Sequence, residues 1–422
     1  MNKIIPKIAF LGGIFPEQKK NEIINNSIGQ PQNAANLLQW NIINGIEKNI
    51  NEHITIFNSL FIGSYPKRFK KLFIKSYEFS HCRLKEHCDY NIGFFNAPLI
   101  KHLSKIIEVK RFLHNKAKIN EYDLIIGYSM TLSIVEGLLC AKRINPNLIT
   151  CLVVPDLPEY MNLEKKKRTL QDFLFNSLRK VSNEILYKDI QKIDCFVILT
   201  KYMADALGIE NKPYSVIEGM TKPRNEDCIY EYPIKKFVYT GSLGEKYGIK
   251  ELVDAFHKLE VQDVELIICG GGDTVDYIKT IAKIDTRIIY KGILTPDEVY
   301  NIQKDAYVLV NPRNSKEEYT KYSFPSKTLE YMTSGHPVLM YHLPGIPKEY
   351  DDYLIYFEEG EEAIYHGLKK IYSLDPVEIR QIGLKSKVFV DTQKTDIIQT
   401  KKIIEMFYEI KAQNRGDKLK NN

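Results

Sequence analysis

Short apolar runs alternate with amphipathic helical patterns along almost the whole chain of 422 residues. Each run has about the length of one strand, and most are followed by a turn and then by apolar residues at helical spacing. This alternation is typical of parallel sheets whose strands are joined by helical crossovers. We therefore predict an α/β protein built from doubly wound parallel sheets. In the first half, strands are predicted near 7–12, 53–57, 123–127, 148–154, 195–199 and 214–217.

A segment rich in proline and charge interrupts this rhythm. Residues 207–236 read LGIENKPYSVIEGMTKPRNEDCIYEYPIKK, a composition typical of a connection between domains. The alternation then restarts, which predicts a second doubly wound sheet. The predicted domains are residues 1–210 and 211–395. In the second half, strands are predicted at 236–240, 264–269, 287–290, 307–310 and 337–341, and helices at 248–259, 273–283, 296–303 and 396–412.

Cysteine usage and hydropathy indicate a cytoplasmic protein. The seven cysteines form no CxxC pair, which fits reduced thiols better than a disulfide framework. The first apolar run, residues 8–15, is interrupted by two glycines and predicts a strand and its turn rather than a signal peptide. The weakly charged stretch 123–141 divides at Gly127 into a strand-sized and a helix-sized piece. No transmembrane helix is therefore expected.

Two stretches combine cations with apolar residues in a chain of formal net charge +6, namely PKRFKKLFIK at 66–75 and EKKKRTLQDFLFNSLRK at 164–180. Three interpretations are open: a solvated helix face, a nucleic-acid surface, or contact with anionic lipid. A solvated face is the commonest explanation of either stretch alone, whereas the Phe and Leu partners favour peripheral contact with the inner face of the plasma membrane. Nucleic acid is not expected, because no recognised reading motif accompanies the charge.

The sequence HCRLKEHC, residues 81–88, repeats a His-Cys pair six residues apart. Such a repeat could indicate a zinc site. Ligand pairs in structural zinc sites usually have tighter spacing and a second pair elsewhere in the chain, and the sequence shows none. We therefore predict a polar surface loop here and no metal site.

Glycine-rich turns follow two predicted strands of the second half. In YTGSLGEKYG, residues 239–248, the glycines would let the backbone approach a phosphate closely, while Ser242 and Lys246 offer donors. CGGGDT, residues 269–274, is a second turn of this kind. A glycine turn is more often an ordinary loop between a strand and a helix. Neither turn therefore identifies a ligand by itself.

A third loop, YKGILTPDEV at 290–299, places Gly292 before a helix that is predicted to be capped near Thr295, with Pro296 at its first position. Such a loop can present main-chain N–H and C=O groups to the flat edge of a base. A capped helix start without any ligand is an equally good explanation. The loop indicates a base-binding site only in combination with the other stretches.

The stretch YSFPSKTLEYMTSGHPVLMY, residues 322–341, predicts a short helix that begins at Pro325 and is stopped by Gly335. The backbone N–H groups of residues 326–328, together with the helix dipole, would form an anion site. Glu330 lies one turn further on, about 6 Å along the axis. Its carboxylate can accept two vicinal ribose hydroxyls, although a carboxylate near a helix start is also stabilised without a ligand.

These stretches occur in the order and approximate spacing of a known family. From GSLGEKYGIKELVDAF through LIICGGG and RIIYKGIL to PSKTLEYMTSGHPVL, the second half resembles the GT-B glycosyltransferases, and among them the mostly retaining family 4. The first half resembles them at the glycine turn 12–13, at VILTKYMADAL (197–207) and at VIEGM (216–220). Members involved in bacterial capsule, exopolysaccharide or O-antigen assembly are most similar. The resemblance implies two Rossmann-like domains facing a central cleft, with helix 396–412 completing the first.

The resemblance also implies a nucleotide-sugar donor, with UDP as the first expectation, and a lipid-linked or growing glycan as acceptor. Glu330 would bind the ribose, the backbone of 326–328 the distal phosphate, and the loop around Gly292 the base. The turn formed by Gly12 and Gly13 would close over the sugar and acceptor side. The expected donor-binding residues are Gly241, Ser242, Lys246, Gly292, Arg313, Ser326, Lys327, Thr328 and Glu330.

The chain departs from the family pattern at charged positions. Tyr322 stands where the family usually has a second Glu, eight positions before the ribose Glu. Ser242 and Tyr247 stand where the first diphosphate loop usually carries Arg and Lys. The candidates for the missing positive charge are Lys246, Arg313 and Lys327.

On the acceptor side, VVPDLPEYM (153–161) ends a predicted strand and carries Asp156 and Glu159, with Tyr128 and Ser129 at the neighbouring strand end. Asp156 is the catalytic candidate: a general base if the enzyme inverts, or a residue that orients hydroxyls if it retains. An Asp before Leu-Pro is also an ordinary turn residue. No DxD sequence occurs, so we expect transfer without a metal ion or other cofactor.

Two other classes of function remain open. A Rossmann-type oxidoreductase or nucleotide-sugar epimerase would carry GxGxxG after the first strand, whereas FLGGIFPEQ lacks the third glycine. A two-domain binding protein without chemistry would bind a ligand but not turn it over. Lack of an export signal argues against the periplasmic kind of binding protein.

Overall fold

A computed structural model describes residues 5–29, 31–82, 87–98, 100–160, 170–223 and 232–420. The side chains of residues 170–178 and 416–420 lie outside this description. Residues 164–169 of the second basic stretch therefore fall outside it too. The chain divides into two compact units: a first unit of residues 1–217 and 396–422, and a second unit of residues 218–395.

The central strands consist of buried residues that are mostly aliphatic or aromatic, as their position in parallel sheets requires. In chain order the strands are β1 Ile8–Gly12, β2 Thr55–Asn58, β3 Phe73–Ile74, β4 Tyr77–Phe79, β5 Asp89–Asn91, β6 Phe94–Phe95, β7 Leu124–Tyr128, β8 Ile149–Val154, β9 Cys195–Ile198, β10 Tyr214–Val216, β11 Lys235–Thr240, β12 Val264–Cys269, β13 Ile288–Gly292, β14 Val308–Asn311, β15 Val338–Met340 and β16 Ile355–Tyr356.

The helices connect these strands and cover both faces of the sheets. In chain order they are α1 Lys20–Asn26, α2 Asn33–Ile50, α3 Ile100–Asn115, α4 Leu132–Ile144, α5 Leu170–Ile190, α6 Tyr202–Leu207, α7 Ile249–His257, α8 Val275–Ala282, α9 Pro296–Lys304, α10 Ser326–Met332, α11 Ala363–Ser373, α12 Pro376–Gln393 and α13 Asp396–Lys420.

The sheet of the first unit has the order β10-β9-β8-β7-β1-β2-β5-β4 within the described residues. All neighbours are parallel except β4 and β5, and a separate antiparallel pair joins β3 to β6. Strand β1 lies between β2 and β7, so the chain winds outward from β1 in both directions. The turns after β1 and β7 therefore flank the switch point of this sheet, where ligands of doubly wound folds bind.

The carboxy-terminal helix α13 packs against α2 of the first unit. A Cβ atom added to Gly45 would lie 2.4 Å from the carbonyl oxygen of Asp396, so a larger residue does not fit between the two helices. Asn49 Nδ2 donates hydrogen bonds to the carbonyl oxygen of Ile397 (2.8 Å) and to Oγ1 of Thr400 (2.9 Å). Lys48 forms an ion pair of 2.7 Å with Asp396.

The sheet of the second unit is parallel, with the order β13-β12-β11-β14-β15-β16 among the described residues. Numbered from β11, this is the 3-2-1-4-5-6 order of the Rossmann fold. Successive side chains of β11 alternate between two hydrophobic cores: Phe237 and Tyr239 pack into one, and Val238 packs into the other. Helices cover both faces of such a sheet, which is why its central strands bury apolar side chains on both sides.

The predicted fold class is confirmed: both units contain doubly wound parallel sheets. The sequence did not predict the short antiparallel strands between 73 and 95 or the separate helix α12. In the part of the chain that the structure describes, no helix is both long and apolar enough to cross a membrane. All described cysteines carry free thiols.

Candidate active site

The switch point of the second sheet lies between β11 and β14, because the chain leaves β11 first towards β12 and later towards β15. The loops that follow these two strands meet closely. A Cβ atom added to Gly248 would lie 2.3 Å from the carbonyl oxygen of Pro312, and Gly248 has a φ of +75°. Only glycine combines this backbone conformation with so close an approach. The crevice between the two loops is the expected ligand site of such a sheet.

The first glycine turn, residues 241–248, follows β11 and is backed by the second, residues 270–274. A Cβ atom added to Gly270 would lie 1.8 Å from the carbonyl oxygen of Gly241, and one added to Gly272 would lie 2.4 Å from Leu243. The second turn therefore supports the first by close backbone packing. Ser242 and Lys246 of the first turn are exposed.

Arg313, two residues after β14, is a buried cation with 9% of its surface exposed. One guanidinium nitrogen donates to Ser323 Oγ (2.7 Å), and the group stacks on the ring of Tyr319 at 4.6 Å. Its Nε is buried without an acceptor, and no carboxylate within the described residues forms an ion pair with it. Burying a cation without a counter-charge is costly. An anionic ligand would supply that counter-charge.

Tyr239 links Arg313 to the first glycine turn. Its hydroxyl donates to the carbonyl oxygen of Ser242 at 2.7 Å. Burial raises the pKa of Tyr239, and the positive charge of Arg313 partly opposes this rise. The guanidinium thus lies near the end of β11, beside the crevice at the switch point.

Glu330 of α10 has a half-exposed carboxylate, with 39% of its side chain accessible. Oε1 accepts hydrogen bonds from Gln303 Nε2 (2.8 Å) and Lys327 Nζ (3.0 Å), and Oε2 lies 2.8 Å from the same ammonium. The amide of Gln303 also donates to Oγ1 of Thr240, the last residue of β11, at 2.8 Å. Gln303 therefore holds the carboxylate close to the end of the central strand.

The start of α10 offers two backbone donors rather than three. Thr328 is fully buried and its N–H donates to the carbonyl oxygen of Pro325 at 2.8 Å, which corrects its predicted role in holding a phosphate. Ser326 is exposed, and its N–H and that of Lys327 have no acceptor among the described residues. The side chain of Lys327 contacts Glu330, so its charge is already shared.

The loop around Gly292 begins α9 as predicted. Thr295 Oγ1 accepts from the N–H of Glu298, and the Glu298 carboxylate accepts from the N–H of Thr295 at 2.8 Å. This reciprocal capping box fixes the helix start. Gly292 has a φ of +77° and its carbonyl accepts from Gly270 at 2.7 Å, while the next residue, Ile293, is 73% exposed. The loop thus presents an apolar surface beside the second glycine turn.

In the first unit, side chains of the protein itself pack closely against the turn after β1. Gly12 and Gly13 are buried, and the N–H of Gly13 donates to Oε1 of Gln39 at 2.8 Å. A Cβ atom added to Gly13 would lie 2.1 Å from the ring of Phe61. The Gly13 amide is already hydrogen-bonded to Gln39, and the closure of this turn over a sugar stays a prediction.

Tyr128 and Ser129 end β7 at the switch point of the first sheet. The ring of Tyr128 is only 2% exposed, so its predicted acceptor contact does not involve the side-chain surface. Ser129 adopts a φ of +79°, a left-handed conformation that is costly for a residue other than glycine, and its N–H donates to the carbonyl oxygen of Val153 at 2.9 Å. Strained residues of this kind cluster at functional sites.

Asp156 follows β8 by two residues and is exposed, as is Glu159. Partial desolvation by the surrounding protein disfavours the ionised form and raises the pKa of Asp156 to about 6. Its charge contributes, after burial, to the raised pKa of Tyr128, so the two residues are neighbours. Glu159 accepts a hydrogen bond of 2.9 Å from Tyr187 of α5. A carboxyl group with a pKa near neutrality is suited to proton transfer.

Part of the second unit matches a known protein family. Residues 234–373 match the model of the family "Glycosyl transferases group 1", a range that contains both glycine turns, Arg313 and Glu330. Residues 234–373 therefore form a domain of this family, and the chain has the GT-B fold. No curated protein matches its sequence.

Solved structures resemble the chain along nearly its whole length. The apo form of the lipopolysaccharide outer core galactosyltransferase WaaB shares 16% identity at a TM-score of 0.63, covering 96% of this chain and 99% of that one. Anabaena HepE in complex with UDP shares 14% identity at a TM-score of 0.58, with 96% and 100% covered. TarM shares 12% identity at a TM-score of 0.61, with 96% and 99% covered. At these identities the likeness concerns the fold.

Two glutamines that contact the candidate residues, one in each unit, were not singled out from the sequence. Gln303 near the end of α9 bridges Thr240 and Glu330, and Gln39 of α2 satisfies the turn after β1. Both are glutamines inside helices, where nothing in the local pattern distinguishes them from soluble surface residues. Their burial, 1% and 0% exposed, appears only once the helices are packed.

Proposed function

We propose that the enzyme transfers a sugar from a nucleotide sugar, with UDP as the nucleotide, to a lipid-linked or growing glycan in bacterial surface polysaccharide synthesis. Arg313 is the observation that carries this proposal. A buried guanidinium that has no carboxylate partner in the described part of the chain, beside the crevice of a Rossmann-type sheet, calls for an anionic ligand. The diphosphate of a nucleotide sugar has the charge and the size to fill that role.

The neighbouring groups fit the remaining parts of a nucleotide sugar. The first glycine turn, with Ser242 and Lys246 exposed, would face the diphosphate. Glu330 would accept the ribose hydroxyls, and the loop after Gly292 would receive the base against Ile293. HepE has been solved with UDP and with UDP and glucose, which supports UDP as the nucleotide here. WaaB is a lipopolysaccharide outer core galactosyltransferase, which supports a surface glycan as product here.

Transfer in this arrangement needs no metal ion, because fixed cations and backbone donors can stabilise the leaving diphosphate. Arg313, Lys246 and the amides of Ser326 and Lys327 are the groups proposed for this purpose. We propose a retaining reaction, in which the leaving phosphate takes the acceptor proton and the ionised Asp156 orients the acceptor hydroxyl. The anomeric configuration of the first product, read by NMR, tests this point: an inverted centre would make Asp156 the general base instead.

A thermal-shift panel with UDP, GDP, ADP and CMP, each with and without EDTA, tests the proposed donor. UDP is expected to raise the melting temperature by the same amount whether or not EDTA is present, because the site needs no metal. In Glu330→Ala the shift with UDP should disappear, since the ribose loses its acceptor. Lys327→Ala is the matched control on the same turn and should keep most of the shift. A panel without any stabilising nucleotide would contradict the proposal.

The raised pKa of Asp156 predicts that the rate of sugar transfer depends on pH. Because the ionised carboxylate is the useful form and its pKa is about 6, kcat/KM should fall about tenfold per pH unit below that value and level off above it. Asp156→Asn should lower kcat/KM about 10²-fold or more and flatten the acid limb, with UDP affinity unchanged. An unaltered acid limb in this variant would rule out Asp156 as the titrating group.

The raised pKa of Asp156 also allows a test of whether Asp156→Asn folds normally. Since the folded state holds Asp156 at a raised pKa, its ionisation costs stability as pH rises through about 6. Asp156→Asn is therefore expected to melt no earlier than the wild type at neutral pH. Loss of activity with a lower melting temperature would indicate a structural role for Asp156.

We also propose that the first unit contacts an anionic membrane surface. Phe73 of the basic stretch 66–75 is 65% exposed, and its ring lies edge-on to Phe95, 4.8 Å between centroids. Helix α3, joined to β6 through Ser104, exposes an apolar row beside it: Ile100 (52%), Leu103 (58%) and Ile107 (44%). Co-sedimentation with phosphatidylglycerol vesicles, lost in Phe73→Ser/Leu103→Ser, tests this; equal binding to phosphatidylcholine would contradict it.

A further inference from the structure

Three histidines of the first unit gather with two carboxylates at a place that the proposed sugar transfer does not use. Glu47 lies on α2, His53 precedes β2, and His81 follows β4; His87 precedes β5, whose first residue is Asp89. The sequence predicts a polar surface loop at 81–88, and this prediction is wrong for its two histidines. The side chains of His81 and His87 are only 5% and 13% exposed.

We propose that Glu47, His53 and His81 bind a divalent transition-metal ion, with Zn²⁺ as the ion that suits them best. The ligand atoms of these three residues all lie within 4.8 Å of one another. His81 Nε2 is 2.8 Å and His53 Nδ1 is 3.2 Å from the same atom, Oε1 of Glu47. Ligand atoms about 2.0–2.1 Å from a tetrahedral zinc ion are about 3.4 Å apart. Small side-chain adjustments therefore suffice to admit the ion.

Asp89 orients His81 for this role. Its Oδ2 lies 2.6 Å from Nδ1 of His81, so it can accept a hydrogen bond from Nδ1–H. In that tautomer Nε2 carries no proton and its lone pair is available to the metal ion. Asp89 itself is fully buried and fixed by the backbone N–H groups of Ile56 (2.8 Å) and His81 (2.9 Å). A carboxylate behind a metal-binding histidine is the usual outer support of zinc sites.

A second group of ligand atoms, from His81, His87 and Asp89, is less suited to the metal. Both oxygens of Asp89 are already engaged by backbone donors, and His87 Nε2 lies 3.1 Å from Oδ1, where it supports the carboxylate. The Glu47 group has an open side, because His53 is 39% exposed. A water molecule can enter there as the fourth ligand.

The donor set selects the class of ion. Two imidazoles and one carboxylate suit Zn²⁺ and similar transition metals, whereas Ca²⁺ and Mg²⁺ prefer oxygen ligands alone. Bound there, the ion would join α2, the turn before β2 and the segment between β4 and β5. The site is therefore proposed to stabilise the first unit, and it goes beyond the proposed sugar transfer.

The experiment uses the full-length, tag-free chain after dialysis against EDTA and then against metal-free buffer. Addition of Zn²⁺ is expected to load one equivalent, measured by inductively coupled plasma mass spectrometry after desalting, and to raise the melting temperature by several degrees. His53→Ala should lose both effects, and Asp89→Asn should weaken binding about 10- to 100-fold. His114→Ala, an exposed histidine of the same unit, is the matched control and should behave as wild type.

His53 is partly exposed, so its replacement should not prevent folding. This is checked by equal melting temperatures of His53→Ala and wild type in EDTA. No zinc on the wild type would overturn the proposal, and so would full loading of His53→Ala. Loss of zinc in His87→Ala with retention in His53→Ala would overturn it as well, since the ion would then be held by the other group.

Discussion

Replacing Arg313 by Met is expected to abolish most nucleotide binding while leaving the ligand-free protein equally or more stable. Met keeps an unbranched apolar side chain at this position and removes the guanidinium and its charge. Loss of a buried charge from a pair with the diphosphate should raise the Kd for UDP about 10²- to 10³-fold, or about 3 to 4 kcal/mol. In the free protein the guanidinium has no carboxylate partner among the described residues, so its removal relieves a desolvation cost. Calorimetric titration and urea unfolding measure the two effects.

Arg287 provides the matched control in the same unit. Its guanidinium donates to both oxygens of Asp285, at 2.9 and 2.6 Å, and to the carbonyl oxygen of Leu259 at 2.6 Å. Arg287→Met should therefore lower the urea midpoint and leave the Kd for UDP unchanged. The changes in the urea midpoint and in the Kd for UDP therefore distinguish a ligand-binding arginine from a structural one. If Arg313→Met instead unfolded earlier and bound UDP normally, Arg313 would be structural.

The second large effect is expected at Lys394, which pairs with Glu218 near the two ends of the second unit. Both side chains are almost completely buried, with 2% and 1% exposed, and the Glu218 carboxylate also accepts from Tyr350 at 2.8 Å. Lys394→Met leaves Glu218 buried without its counter-charge. Breaking such a pair costs about 3–5 kcal/mol, which urea unfolding of the full chain should detect.

The double variant Glu218→Gln/Lys394→Met distinguishes charge from packing. Without either charge, most of the lost stability should return, because the penalty comes from the unpaired carboxylate rather than from the missing bond. Glu349, the other partner of Lys394 at 2.6 Å, is 53% exposed and contributes little, so Glu349→Gln should be nearly neutral. Equal losses in the single and double variants would point to packing by Lys394 instead.

The fold was predictable because parallel sheets buried on both faces leave a strong local signal. β11 and β12 each contain a buried, mostly apolar run followed by a glycine turn, and their ends differ from the predicted bounds by at most one residue. The short strands between 73 and 95 were missed because two or three residues carry too little periodicity. The exposed row on α3 was missed for another reason: its apolar residues look like a core-facing stripe until the packing shows them outside.

The candidate site was less predictable, because its important properties arise from burial and from distant partners. Arg313 was a candidate by charge, yet its lack of a counter-ion depends on which carboxylates fold near it. The histidine cluster joins Glu47 and His53 to His81, residues whose spacing matches no metal motif. Asp89, which supports that cluster, is separated from Glu47 by three strands and the loops around them. Such contacts come from tertiary structure alone.

The central claim is that the crevice between β11 and β14 holds the diphosphate of the donor. A crystal structure of the full chain grown with UDP tests it most directly. The diphosphate is expected within hydrogen-bonding distance of Arg313 and the first glycine turn, with the ribose hydroxyls on Glu330. A nucleotide bound elsewhere, with the Arg313 guanidinium still lacking an anionic partner, would contradict it.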